Sequence, residues 1–310
     1  SEASVGGMIP LIRSIKEGLV ANRIHSLFGI LNGTSNYILT KMTNEGRSFK
    51  EVLKEAQERG FAEADPTYDI EGIDAAHKLV ILMRLAFGTS IQFKEIFIGG
   101  ISEITPLDIE FSREFGYRIK LLAITKIDSG KIEARVHPTM IPESHLLSTV
   151  EGVFNAIYIK GDATGPTLFY GQGAGQMPTG SAVVSDLVEL GRNLIVKAQG
   201  RRVPPLSFQP QLIEKIPLKR MEDVVMPFYM RFSAIDQPGV LSKISGILGK
   251  NGISIASVIQ KGRQINGAVP VVMMTHEARE ESVHRALKEI NKLHVILGKT
   301  MVIRVENELE

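Results

Sequence analysis

The chain has no cysteine, which excludes disulfides, zinc–thiolate sites and thiol catalysis and fits a reducing compartment. No apolar run approaches the roughly 18–20 residues that a helix needs to cross a bilayer. The N-terminus lacks the basic and apolar regions of a signal peptide. Neither sign of charge dominates: 36 basic and 34 acidic residues are interspersed and leave a formal net charge of +2. Without a polybasic run there is no nucleic-acid footprint. These absences predict a cytoplasmic protein that binds neither nucleic acid nor membrane. An initiator methionine is missing too, and residues 1–10 (SEASVGGMIP) read like the inside of a domain. The expectation is that something upstream has been removed. What remains is ample: 310 residues, 44% hydrophobic and 23% charged, have room for two domains.

The densest chemistry lies in residues 63–78, EADPTYDIEGIDAAHK. Glu63, Asp65, Asp69, Glu71 and Asp74 face the single fixed positive charge of Lys78. Asp65-Pro66 reads as a turn, because proline fixes its own φ and biases the residue before it away from helix. After it, Ile73, Ala76, Val80, Met83 and Phe87 recur at helical spacing, so a buried helix follows. Glu71, Asp74 and Lys78 are spaced i, i+3, i+7 and are expected on one face of it. An acid-lined pocket with one lysine suits a small substrate carrying an ammonium and a group that exchanges a proton. The same residues also make an ordinary Asp74–Lys78 ion pair on a solvated face.

Around this block the chain alternates. Gly6-Gly7 permits unusual backbone conformations, so nearby carbonyls can turn toward an ion or ligand. Residues 11–19 read as a helix and 24–31 as a buried strand. Asn32-Gly33-Thr34-Ser35-Asn36 then precedes a helix at 37–44, whose free N–H groups suit a carboxylate or phosphate, or need only a polar cap. Ser48 caps a further helix that stops at Gly60. Residues 96–104, 117–127, 131–136, 153–159 and 167–170 read as strands, the second and third joined by a turn at Asp128-Ser129-Gly130. A mixed sheet with helices on it is the economical architecture. Gly171, Gly173 and Gly175 offer either phosphate donors or tight packing before a helix carrying Leu187 and Leu194. They lack the G-x-G-x-x-G opening of a βαβ unit.

Prolines at 204, 205, 210 and 217 mark a linker over 201–227. Beyond it, residues 228–306 alternate as strand, helix, strand, hairpin at 262–267, strand, helix and strand. The order βαββαβ is a ferredoxin-like sandwich. With D-Q-P-G-V-L (236–241) entering its first helix and N-G-I-S-I (251–255) leaving it, this unit resembles an ACT domain. The resemblance implies paired sheets and an amino-acid effector, with threonine expected, at Gln237, Gly239, Val240, Asn251 and Ile253.

Residues 1–200 resemble the substrate-binding and dimerisation part of homoserine dehydrogenase. The matching segments, in order, are E-A-S-V-G-G-M-I-P (2–10), N-G-T-S-N-Y-I-L (32–39), F-A-E-A-D-P (61–66), D-I-E-G-I-D-A-A-H-K (69–78), G-Y-R-I-K-L-L-A (116–123), R-V-H-P-T (135–139) and G-A-G-Q-M-P-T-G-S-A-V-V (173–184). That family interconverts L-homoserine and L-aspartate 4-semialdehyde with NAD(P), in threonine, methionine and isoleucine biosynthesis. The resemblance makes Lys78 the acid/base. Glu63 would hold the substrate ammonium, with Asp69 and Asp74 ordering the pocket. Gly33 and Thr34 would meet substrate, and Asn32 and Gly175 the cofactor. Glu2, with the carbonyls of Val5, Gly7 and Ile9, would bind sodium. It also implies a homodimer or higher homo-oligomer, an α/β (α+β) fold, and domains at 1–200 and 228–306. Two departures stand out. The family's NAD(P)-binding domain is absent, so the fragment alone is expected to be inactive, and position 61 is Phe where some relatives place Tyr. An amino-acid-binding regulatory module without catalysis is the alternative.

Overall fold

The computed structural model describes residues 2–196, 203–204, 206–262 and 267–309. Parts of two expected features, linker residues 201, 202 and 205 and hairpin residues 263–266, lie outside them.

The expected helix at 11–19 begins as α1 (Leu11–Arg13) and continues over Ser14–Gly18 as a wider turn, closed by Leu19 N–H on the Ser14 carbonyl at 2.8 Å. β1 (Ile24–Ile30) runs through the core and delivers the chain to α2 (Gly33–Glu45). That helix starts four residues earlier than expected, because the Asn32 side chain accepts from the Ser35 N–H and caps it. A reciprocal Ser48–Glu51 box opens α3 (Phe49–Glu58). The acidic block then folds as the short α4 (Thr67–Ile70) and the longer α5 (Ile73–Phe87).

Only β2 (Phe97–Ile98) forms where a strand over 96–104 was expected. The chain leaves the sheet at Gly99-Gly100, and Ile101 N–H donates to the Ile70 carbonyl instead, at 2.8 Å. An unforeseen α6 (Pro106–Glu114) follows, capped by Thr105 with Pro106 in its first turn and Asp108 completing the box. β3 (Tyr117–Asp128) and β4 (Lys131–Pro142) make a long hairpin. Its two-residue turn has positive φ at Ser129 (50°) and Gly130 (76°), the hand that matches strand twist. β5 (Phe154–Gly161), β6 (Gly165–Gln172) and α7 (Gln176–Ile195) complete this half.

The described part of the linker is strapped to the surface: Glu214 pairs with Thr89, and Leu218 with Ile132. Then come β7 (Val225–Met226), β8 (Phe228–Ala234), α8 (Val240–Lys250), β9 (Ile255–Gln260), β10 (Val269–Thr275), β11 (Ala278–Arg279), α9 (Glu280–Ile290) and β12 (Met301–Val305). Apart from β7 paired with β11, this is the expected βαββαβ unit, with its own apolar core. The two halves share one ten-stranded sheet, β6-β5-β1-β3-β4-β12-β8-β10-β9, with β2 alongside β4. The join is a parallel pairing of β12 with β4, Arg304 opposite Thr139 and Val305 opposite Met140. No helix among the described residues is long and apolar enough to cross a membrane.

Candidate active site

The C-terminal end of β1, the first turn of α2 and the start of α5 converge on a cavity of about 530 Å³. Asn32, Gly33, Thr34, Asp69, Asp74, Lys78 and Gly175, all expected there, line it. Asn32 organises the group. Its amide nitrogen donates to Asp69 Oδ1 at 2.7 Å and to Asp74 Oδ2 at 2.9 Å, while its oxygen caps α2. Lys78 Nζ donates to Asp74 Oδ2 at 2.6 Å and to the Leu31 carbonyl at 2.9 Å. Two carboxylates against one ammonium leave the wall with one net negative charge, which favours a cationic ligand group. The i,i+4 ion pair and the pocket are therefore the same object rather than alternatives.

Two expected members stand apart. Glu71 does not share the Asp74–Lys78 face. Gly72, at φ 78°, precedes α5 in a left-handed conformation and breaks the helical phase. The Glu71 carboxylate instead accepts from Ser102 Oγ at 2.8 Å. Glu63 is exposed on the 61–66 turn and does not line the cavity; its carbonyl accepts from Gln57 Nε2 at 3.1 Å.

Phe61, where some relatives place Tyr beside the substrate, lines the cavity, and so does Asn155, which had not been assigned to it. Phe61 lies on the same turn as Glu63 and packs its ring 5.0 Å from that of Tyr37. Asn155 is buried and donates to the Ile30 carbonyl at 2.9 Å. A polar residue inside the apolar run VFNAIYI was the available signal. Gly173 owes its lack of a side chain to Asn155, since a Cβ there would overlap Asn155 Oδ1. The glycine-rich turn is thus tightly packed and also opens, through Gly175, onto the cavity.

The N-terminal loop abuts that turn. A Cβ on Gly7 would lie 2.5 Å from the Gly173 carbonyl, and Met8 N–H donates to the Gln172 carbonyl at 3.4 Å. Glu2 is buried, and desolvation raises its pKa despite backbone N–H donors from Arg13 at 2.7 Å and Ile12 at 3.1 Å. A buried carboxylate held against its own desolvation fits a monovalent cation. The Ile9 carbonyl already accepts from Leu11 N–H at 2.7 Å, so it would have to share that bond.

In the C-terminal unit, Val240 and Ile253 are buried in the core and offer a ligand only their backbone. Asn251 is engaged with the Ile247 carbonyl, Glu289 and Arg285, while Gln237 and Gly239 are exposed. The 11 residues of α8 separate the two turns by about 16 Å at 1.5 Å per residue. One small amino acid cannot touch both turns of a single chain.

The homoserine dehydrogenase family profile matches residues 10–188, and the ACT domain profile matches residues 228–295. The chain belongs to the homoserine dehydrogenase family. It is 45% identical to a homoserine dehydrogenase of Neisseria gonorrhoeae over 306 residues, 99% of this chain and 70% of that protein. The crystal structure of a homoserine dehydrogenase from Thiobacillus denitrificans superposes with a TM-score of 0.93 at 49% identity, covering 100% of this chain and 70% of that one. A hyperthermophilic archaeal homoserine dehydrogenase mutant, in complex with NADPH, shares 31% identity over 61% of this chain and 54% of its own, with a TM-score of 0.51.

Within a member of this family, Gly173→Ala is expected to lower kcat/KM for homoserine on the order of 10–100-fold, because the added methyl displaces Asn155 from the cavity wall. Steady-state kinetics, with circular dichroism to confirm the fold, checks this.

Proposed function

We propose that this chain supplies the substrate half of an enzyme interconverting L-homoserine and L-aspartate 4-semialdehyde. The observation that carries the reading is the Asn32 clamp, which aligns Asp69 and Asp74 beside Lys78 on the cavity wall. In the reductive direction the Lys78 ammonium, steadied by Asp74 and the Leu31 carbonyl, donates its proton to the aldehyde oxygen as the carbonyl carbon gains hydride. In the oxidative direction the neutral amine takes the alcohol proton as the C–H bond gives up its electron pair. Bound NAD(P) supplies or accepts that hydride. Gly33 and Thr34 would meet the substrate, and Asn32 and Gly175 would hold the cofactor. Glu63, on the turn that presents Phe61 to the cavity, points to solvent in this structure and would have to turn inward to hold the substrate ammonium. A hydroxyl contact at position 61 is lost with Phe.

The 310 residues contain no G-x-G-x-x-G unit. In this reading a nucleotide-binding unit outside them presents the cofactor at the 173–175 turn, and these residues alone turn nothing over. The exposed apolar residues Met177, Leu187, Leu194 and Ile195 of α7, which follows that turn, give such a unit a surface to cover. Sodium is held by Glu2 and the carbonyls of Val5, Gly7 and Ile9. Residues 1–200 form the substrate half, and 228–306 bind threonine between two copies as a feedback effector. The protein acts in the cytoplasm as a homodimer or larger assembly, in threonine, methionine and isoleucine biosynthesis.

Calorimetric titration of the 310-residue chain tests the scheme. Homoserine and threonine are expected to bind and NADPH is not. Glu63→Ala should weaken homoserine by roughly tenfold, the value of one charged hydrogen bond. The second reading, a regulatory module without catalysis, is favoured by the ACT match and would be supported by threonine binding with no homoserine binding.

A further inference from the structure

Lys120, in β3, is 4% exposed, yet among the described residues no carboxylate lies within hydrogen-bonding distance of its ammonium. Its Nζ donates to the Val150 carbonyl at 2.5 Å and approaches Asn36 Oδ1 at 3.4 Å. Asn36, itself buried in the first turns of α2, points its amide nitrogen at the carbonyls of Val150 (3.2 Å), Gly152 (3.0 Å) and Phe154 (3.2 Å). Thr40 Oγ1 accepts from the Gly152 N–H at 3.1 Å. Lys120 and Asn36 thus gather the carbonyls of the turn leading into β5 and tie that turn to α2.

That seam forms the back of the cavity. Val153 and Asn155 line it from the β5 side, and Asn32, Gly33 and Thr34 from the α2 side. The two sides meet closely: a Cβ on Gly33 would lie 2.8 Å from the Val153 carbonyl. Asn36 also closes the first turn of α2, its N–H donating to the Asn32 carbonyl at 3.2 Å. A shift of the 150–154 turn therefore reaches the residue that clamps Asp69 and Asp74.

We propose that Lys120 is a positioning residue for the substrate cavity, holding the 150–154 turn against the first turn of α2 so that Asn32, Val153 and Asn155 keep their places. This rests on the reading of the cavity as the homoserine site.

A buried ammonium whose partners among the described residues are neutral oxygens is an expensive way to hold a turn. Burial pulls the Lys120 pKa down to about 8, with Glu151 raising it and Arg118 lowering it further. The folded pKa lies below the unfolded one. Between pH of about 8 and 10.5 the unfolded chain binds the extra proton, so stability rises with pH across that window and is lowest below it. The fold therefore keeps at neutral pH a charge it would be more stable without. Such a cost is expected where a group serves a site.

The test compares the 310-residue chain with Lys120→Met and with Lys120→Gln, which keeps a neutral donor for the Val150 carbonyl. Both variants are expected to be as stable as the parent at pH 7 and to lose its rise in stability between pH 8 and 10.5. Homoserine Kd should increase about tenfold in each at pH 7, and the ratio to the parent should shrink as pH passes 8, where the parent's own charge is lost. The ratio cancels titration of the ligand. Amide hydrogen exchange gives a reading that needs no ligand: residues 32–36 and 150–155 should exchange faster in the variants. Unchanged exchange there overturns the proposal, whether or not homoserine binds. Faster exchange with no homoserine binding by the parent sustains the positioning role and removes the substrate assignment instead. Variants that lose stability at pH 7 but bind homoserine normally would make Lys120 a purely structural residue.

Discussion

Replacing Lys78 with Met, in a homoserine dehydrogenase carrying these residues, is expected to lower kcat for homoserine oxidation by roughly 10²–10⁴-fold, the usual contribution of a positioned acid/base. Loss of fold would not account for this. The Lys78 and Asp74 side chains are 22% and 30% exposed, and an i,i+4 pair of that kind contributes only about 0.5 kcal/mol. Lys78→Arg separates charge from proton transfer. Arginine restores a positive partner for Asp74 but cannot release its proton at working pH. Its KM is expected to stay close to the parent's while kcat falls as far as in the Met variant. An Arg variant that turns over normally would remove Lys78 from the chemistry and leave it as the counter-ion of Asp74. The measurement is steady-state kinetics of NAD(P)H formation.

The second large effect is on stability. Asp108→Ala is expected to cost about 3–5 kcal/mol in denaturant unfolding, the cost of stripping one partner from a buried ion pair. Asp108 is fully buried in the first turn of α6. Its Oδ1 accepts from Arg231 Nε at 2.6 Å and Tyr229 OH at 3.1 Å, and its Oδ2 from a second Arg231 nitrogen at 3.0 Å and from Thr105. Burial, followed by the Asp108 charge, pushes the Tyr229 phenol well above its ordinary range. Removing the carboxylate strands the Arg231 guanidinium at the seam between α6 and β8, where its side chain is 13% exposed. The double variant Asp108→Leu/Arg231→Met should recover much of the loss, because neither member of the pair then leaves a charge buried there. A loss under about 1 kcal/mol in the single variant would show that water reaches the guanidinium.

This pair also ties α6 of the first half to β8 of the second, adding to a sheet join in which β12 and β4 share the Arg304–Thr139 and Val305–Met140 positions. Nothing local in Asp108 or Arg231 announces it. They are 123 residues apart in the chain, and each also reads as a plain helix-cap or strand residue.

Much else was legible. Helical spacing revealed α5 and alternation revealed β8, because each buries chiefly one face, while β1 and β3, buried along most of their length, showed as apolar runs. Asp69, Asp74, Lys78 and the Asn32-Gly33-Thr34 turn, which line the cavity, were readable as candidates because their residue types are costly in a core and cheap at a site. Element ends were less legible. The strand expected over 96–104 shrank to Phe97–Ile98, because Ile101 finds its acceptor at Ile70 rather than in the sheet. α6 went unseen although Thr105, Pro106 and Asp108 spell its cap.

Sequence alone was enough to set the family, the βαββαβ order of the C-terminal unit, and the types of group that the site would need: carboxylates, one lysine and a glycine turn. Only the folded chain decided which of those groups meet. One left-handed glycine, Gly72, turned Glu71 away from the Asp74–Lys78 face toward Ser102, and no periodicity predicts a break in phase from a single backbone angle. The folded chain also brought Asn155 to the cavity and Lys120 behind it, because both positions are set by strand pairing across more than 80 residues. Local preference gave each segment its shape. Long-range hydrogen bonds and burial, whose energies depend on partners distant in sequence, chose the assembly of acid, amide and lysine.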